Sequence, residues 1–308
     1  MARITHPWRK LGLAALALLL IGNLGAGCWP PFADNRPTDW TKLPTDGSVL
    51  LINLQVDAEL AHPDDEETDL DATVRVLDEL TRRRIPATVY VTGAFANRAS
   101  ARVQQLHEGG YEIALHGYNT GEQLATMSHD EQLDVLTRAW NAVRGCVPCG
   151  TARPVIGFRA QYFSQNADTS AILGTLGFVY NGTYKAGQIT LAGYESQREP
   201  FLPAGATVWV VPVTTIPAEG TPMYMCDISS HLARGLSGAQ WQEASHTAIE
   251  QARAQGEPLV VILHGWHLGN DDNGYWQPFL RFLDEAAAAG EFVTTGQLVE
   301  LYGRAAPE

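Results

Sequence analysis

Apolar positions along the chain follow two alternating periods. LLINLQV, starting at Leu50, is a near-continuous apolar run of strand length, whereas DLDATVRVLDELTRRR, starting at Asp69, spaces its apolar residues three and four apart as a helix does. ATVYVT predicts a second strand. RASARVQQLHEGG follows as a helix closed by glycines, then YEIAL as a strand, and SHDEQLDVLTRAWNAVRG as a helix opened by a capping box from Ser128 to Glu131. The pattern continues through PVIGF, a helix from Asn166 to Leu176, FVYNG, TVWVVPV, a helix from Ala239 to Gln255, PLVVIL, the helix PFLRFLDEAAAAG, EFVTT and QLVELYG. Strands and helices alternating in this way predict a parallel α/β architecture, either a barrel or an open sheet.

Before Leu50 the pattern changes. Residues 1–28 begin with Arg3, Arg9 and Lys10, continue as the apolar LGLAALALLLIGNL, and end on GAGC, the form of an export signal. Cys28 after Leu24-Gly25-Ala26-Gly27 resembles a lipobox, although a large aliphatic residue is usual where Gly25 stands. Lipidation of Cys28 and plain secretion therefore both stay open. Each predicts a bacterial envelope or extracellular location, with membrane contact only through a lipid on Cys28. Residues 29–47, with four prolines and no period, predict a tether and lead-in to a barrel domain over residues 48–305. In an oxidising compartment, Cys146 and Cys149 of RGCVPCG are expected to form a local disulfide, because the pair follows a helix rather than opening one as a redox centre does. The formal net charge of -13 argues against nucleic acid as a partner.

The polar residues select the barrel. Asp57 ends LLINLQV-D, His116 follows YEIAL, Arg159 follows PVIGF and His264 follows PLVVIL. Four ionisable groups at the C-terminal ends of four different strands is the placement of a barrel active site.

These segments resemble those of the NodB-like polysaccharide deacetylases, carbohydrate esterase family 4, from about Leu50 to Tyr302. EIALHGYN resembles the family's metal-histidine segment, GFRAQYFSQNADTSAILGTLGFVYNG its arginine segment, and VVILHGWHLG the segment of its catalytic histidine. The resemblance implies a distorted (β/α)7 barrel and removal of N-acetyl groups from an amino-sugar polymer by metal-assisted attack of water. It implies a divalent metal, zinc by preference, with His116 as a ligand, Arg159 orienting the base, and His264 as the acid.

The chain also departs from the family. The second metal histidine normally comes four residues after the first, where this chain has Thr120. The family pairs two aspartates in its first motif. With an adjacent pair, Asp57 is the base and Ala58 replaces the ligand; with a pair one residue apart, Gln55 replaces the base and Asp57 is the ligand. Either alignment leaves one carboxylate missing. Immediately downstream, AHPDDE resembles the signature of a different group, the zinc de-N-acetylases of small glycosides, in which His62 and Asp65 would bind zinc and Asp64 would be the base; the remainder of that group's pattern is not found. HPDDEE is then either a solvated loop leading into the next helix or a loop over the barrel mouth supplying His62 and Asp65 as replacement ligands. Further candidates are Tyr162, Trp266, His267, Asp271, Asp272 and Trp276, with Asp227 as a partner for the acid. Three functions follow: an N-deacetylase with altered ligands, a hydrolase of another non-peptide C–N amide bond, and a catalytically degenerate glycan-binding barrel.

Overall fold

The computed structural model describes residues 39–148, 150–151 and 153–305, and the expectations for the signal segment, Cys28 and Cys149 lie outside them. In chain order the elements are β1 (Leu50–Ala58), α1 (Glu66–Arg83), β2 (Thr88–Val91), α2 (Gly93–Arg98), α3 (Ser100–Glu108), β3 (Glu112–Leu115), α4 (His129–Gly145), β4 (Gly157–Phe158), α5 (Ala167–Leu176), β5 (Tyr180–Lys185), β6 (Trp209–Val213), β7 (Thr215–Ile216), β8 (Met223–Tyr224), α6 (Gly238–Gln255), β9 (Leu259–His264), α7 (Gly265–Leu268), α8 (Trp276–Ala289), β10 (Gly290–Phe292) and α9 (Thr295–Ala305). The Ser128–Glu131 capping box is formed, and Asn166 caps α5 in the same way. PVIGF narrows to a two-residue strand, and α2 lies where the apolar period is too short to register.

The main sheet is parallel, ordered β10-β1-β2-β3-β4-β5-β6, and β9 pairs with β1 along its other edge. It closes nearly into a barrel: Thr214 N–H donates to the Val260 carbonyl at 3.1 Å, and Val260 N–H donates to Thr214 Oγ1 at 2.8 Å. The distorted barrel expected from the sequence is therefore the fold.

Strand β1 shows why it forms. Leu50, Ile52, Leu54, Val56 and Ala58 pack outward in the core shared with the helices, while Asn53, Gln55 and Asp57 face inward and are buried. The apolar half of the period is the driving force for burial, and the polar half lines the barrel interior. Leu43, in the lead-in segment, packs in the second core cluster with Leu51. Among the described residues no helix is long and apolar enough to cross a membrane. The glycines of GWHLG allow α7 to lie against α1: a Cβ on Gly269 would stand 2.0 Å from the Ala72 carbonyl oxygen, and one on Gly265 2.6 Å from Thr73.

Candidate functional site

Because the strands are parallel, the residues at their C-terminal ends meet at one mouth. Asp57 and His264 are register partners across β1 and β9. His116 N–H donates to Val91 and Arg159 N–H to Leu115, each at 3.0 Å, which carries the next two groups to the same level. A cavity of about 380 Å³ opens there, lined by Asp57, Glu59, His116, Arg159 and His264 among others.

Asp57 is the hub. It is 2 % exposed; one carboxylate oxygen accepts from the Arg159 guanidinium, and the other lies 3.5 Å from His116 Nε2 and 3.4 Å from His264 Nε2. Arg159 also donates to Gln55 Oε1 at 2.5 Å and stacks 4.2 Å over the Tyr90 ring. Burial pulls the guanidinium down to about 9, which leaves it cationic at neutral pH.

The two histidines differ in protonation because their partners differ. His116 Nδ1 sits 2.8 Å from the Arg159 carbonyl, which can only accept, so the proton is on Nδ1 and the Nε2 lone pair faces the cavity. Burial lowers the pKa of His116, and the negative charge of Glu59 opposes that only in part, so the ring is neutral. His264 Nδ1 lies 2.8 Å from Asp227 Oδ1, which also accepts from the His264 backbone N–H at 3.0 Å. Burial works against the imidazolium, but Asp227 and its neighbours outweigh it and raise the pKa of His264 well above the ordinary value. Asp227, although buried, is held well below the usual carboxylate range by His264 and His267.

Asp57, Arg159, His116 and His264 are thus brought together, and Asp227 stands behind the acid. His62 reaches only the rim: its side chain is 57 % exposed, its Nδ1 bonds to Asp69 at 2.7 Å, and its ring meets Trp266 edge-on at 4.9 Å. Asp65 is a correction. It is exposed, lies outside the cavity lining, and precedes the first residue of α1, because HPDDE folds as the turn that starts that helix; Asp64 is exposed beside it. Asp271 pairs with Arg75, whose guanidinium covers Trp276, and neither of these nor Asp272 lines the cavity; Tyr162 and Trp266 do. The expected loop disulfide has one end at Cys149, outside the described residues; Cys146 is a buried free thiol whose Sγ lies 3.5 Å from the Ala142 carbonyl.

Glu59 was missed by the motif alignment. It lies two residues beyond Asp57 on the same face, is 6 % exposed, lines the cavity and accepts from Trp266 Nε1 at 3.2 Å. Ala58 packs in the outer core, so the second carboxylate lining the cavity is Glu59. The period-two inward series 53, 55, 57, 59 carried that signal.

A divalent metal fits this donor set only in part. Thr120 Oγ1 lines the cavity, is buried and has no hydrogen-bond partner, but a hydroxyl is a poor zinc ligand. Among the described residues, three His, Cys, Asp or Glu donor atoms come within 4.8 Å of one another in one group, Cys226, Asp227 and His264. There the His264 Nδ1–H is already given to Asp227, so that nitrogen is not a free ligand. The metal set of the family is therefore incomplete.

Residues 64–181 match the family model for polysaccharide deacetylases. No curated protein matches the chain. Among solved structures the fold is similar to a putative polysaccharide deacetylase from Mycobacterium smegmatis (20% identity, TM-score 0.65, covering 85% of this chain and 93% of that one). It is also similar to a probable polysaccharide deacetylase from Pseudomonas aeruginosa PAO1 (16%, 0.68, 84% and 92%) and to the Puue allantoinase (16%, 0.69, 89% and 96%). Residues 64–181 are thus similar to the polysaccharide deacetylase family, and the barrel has the fold of these solved structures.

Proposed function

We propose that the protein is a hydrolase that removes N-acetyl groups from an amino-sugar polymer of the cell envelope, such as peptidoglycan, a chitin-like chain or an exopolysaccharide. The family match supports the substrate class. The observation that carries the chemistry is the 3.4 Å approach of Asp57 to a His264 that is charged and backed by Asp227.

In the proposed reaction Asp57, oriented by Arg159, takes a proton from water as the hydroxide adds to the acetamide carbonyl carbon. As the C–N bond breaks, His264 Nε2 gives its proton to the departing nitrogen, so acetic acid and a free amine leave, and the acid's proton passes to the amine in solution. The proton on Asp57 then crosses to His264 and restores the site. No step is routed through a metal, because the donors left for one, Glu59, His116 and Thr120, give two strong ligands where catalytic zinc normally takes three.

A second function, hydrolysis of another non-peptide C–N amide, is favoured by Thr120 in the place of the second metal histidine and by a cavity of small-ligand size. The test is acetate release from acetylated oligosaccharides, run beside a panel of small linear and cyclic amides. Release from the sugars alone supports the first function and turnover of an amide alone the second. Glycan binding without turnover of either would leave a degenerate barrel.

A further inference from the structure

The catalytic pair is backed by two further histidines for which the proposed reaction has no use. Asp227 Oδ2 accepts from His267 Nδ1 at 2.8 Å, and His267 Nε2 lies 2.8 Å from His231 Nδ1. His267 sits on α7 and is 4 % exposed; His231 lies in the turn after β8 and is part exposed. The chain His264–Asp227–His267–His231 therefore runs from the cavity to the surface.

We infer that His267 and His231 form a hydrogen-bonded pair that sets, through Asp227, how tightly His264 holds its proton. Asp227 accepts from three N–H groups, and every donor on Oδ2 draws charge away from Oδ1, where His264 is bound. The facing nitrogens of His267 and His231 have room for one hydrogen between them. The His267 N–H on Oδ2, with His231 facing its other nitrogen, thereby weakens the Asp227 hold on His264 and makes His264 a better acid. His267 and His231 are positioning residues, since neither lines the cavity.

Other groups facing the pair do not take its place at Asp227. Tyr275 packs its ring 4.7 Å from His267 and 5.2 Å from His231, but burial, with Asp227 nearby, pushes its hydroxyl up to about 12, and that hydroxyl donates to the Leu236 carbonyl. Trp266, 5.8 Å from His267, does not titrate and is joined to Glu59 through its indole N–H. Cys226 approaches His264, its Sγ 3.9 Å from His264 Nδ1. Asn273 donates its amide to the His267 carbonyl and carries no charge.

The inference rests on His264 as the acid of the proposed reaction, so its test needs no turnover. The protein labelled with ¹⁵N in its histidines is titrated by NMR as wild type, His267→Ala, His267→Asn and His231→Gln. Loss of one hydrogen bond to a charged carboxylate should raise the His264 pKa in His267→Ala by about one unit, and His267→Asn, which keeps a donor but cannot titrate, should bring it back. His231→Gln, which removes the ring facing His267 Nε2, should move the His264 pKa in the same direction by less. If an active substrate is found, the alkaline limb of kcat/KM moves with the NMR value while KM is unchanged. A His264 pKa that stays within ~0.2 unit in folded His267→Ala, or moves downward, overturns the inference. Should the NMR shift appear without turnover of any substrate, the inference stands and the proposed function fails.

Discussion

Replacing Asp57 with asparagine tests the site at its centre. The substitution keeps the shape and removes the charge that faces the Arg159 guanidinium and lies 3.4 Å from His264 Nε2. Two buried cations lose a counterion. Breaking a buried pair on one side costs ~3–5 kcal/mol, which at ~2–4 °C per kcal/mol for a domain of this size lowers Tm by roughly 10 °C. An opposite charge at this range shifts a pKa by ~1–3 units, so His264 should lose its proton correspondingly earlier. Loss of the base should reduce hydrolysis by ~100-fold or more. Calorimetry gives the first number, histidine NMR the second and acetate release the third. Asp64→Asn and Asp65→Asn serve as controls, because both residues are exposed and such changes usually stay within about 0.5 kcal/mol. If either control abolishes activity while Asp57→Asn is silent, the site has been placed in the wrong carboxylates.

Asp227→Asn should lower the pKa of His264 and pull the alkaline limb of activity downward. The depressed Asp227 contributes stability above its unfolded pKa near ~3.9, lost as pH falls through the folded value. The raised His264 contributes below ~6.5, lost as pH rises through its folded value. The Tm gap between wild type and Asp227→Asn should therefore be widest between about pH 4 and 6.5, and a gap that grows above that window contradicts the assignment. Thr120→His should raise affinity for divalent metal by ~10-fold or more by titration calorimetry; His62→Ala, which changes a rim side chain bonded to Asp69, should leave that affinity unchanged, and unchanged affinity in Thr120→His would remove Thr120 from the metal position. Made in a bacterium, the protein should lose its first 27 residues and carry lipid on Cys28, or lose a similar segment without lipid; intact mass distinguishes these, and a stable full-length product excludes both.

The barrel and the level of its mouth were legible because they depend on local periods. Strands of alternating or continuous apolar residues, helices with capping signals at Ser128 and Asn166, and charged residues at strand ends are all written within a few residues of where they act. What stayed hidden depends on contacts across the fold. His267 and His231 are 36 residues apart in sequence, and His62 is turned to the rim by Asp69, a pairing no motif encodes. Asp227 could be guessed as a partner for His264, but its second bond to His267 could not.

Glu59 is the instructive case, because its signal was local and still went unread. Comparison with family motifs asks which residue stands next to Asp57, whereas the strand asks which residue faces the same way. Ala58, the residue a motif alignment reaches first, packs outward among the helices, and the inward face passes from Asp57 directly to Glu59. Glu59 follows directly on the last residue of β1 and lines the mouth. There it receives the Trp266 indole N–H and holds negative charge near His116. The cavity thus carries a second acid two residues after Asp57, just past the end of β1.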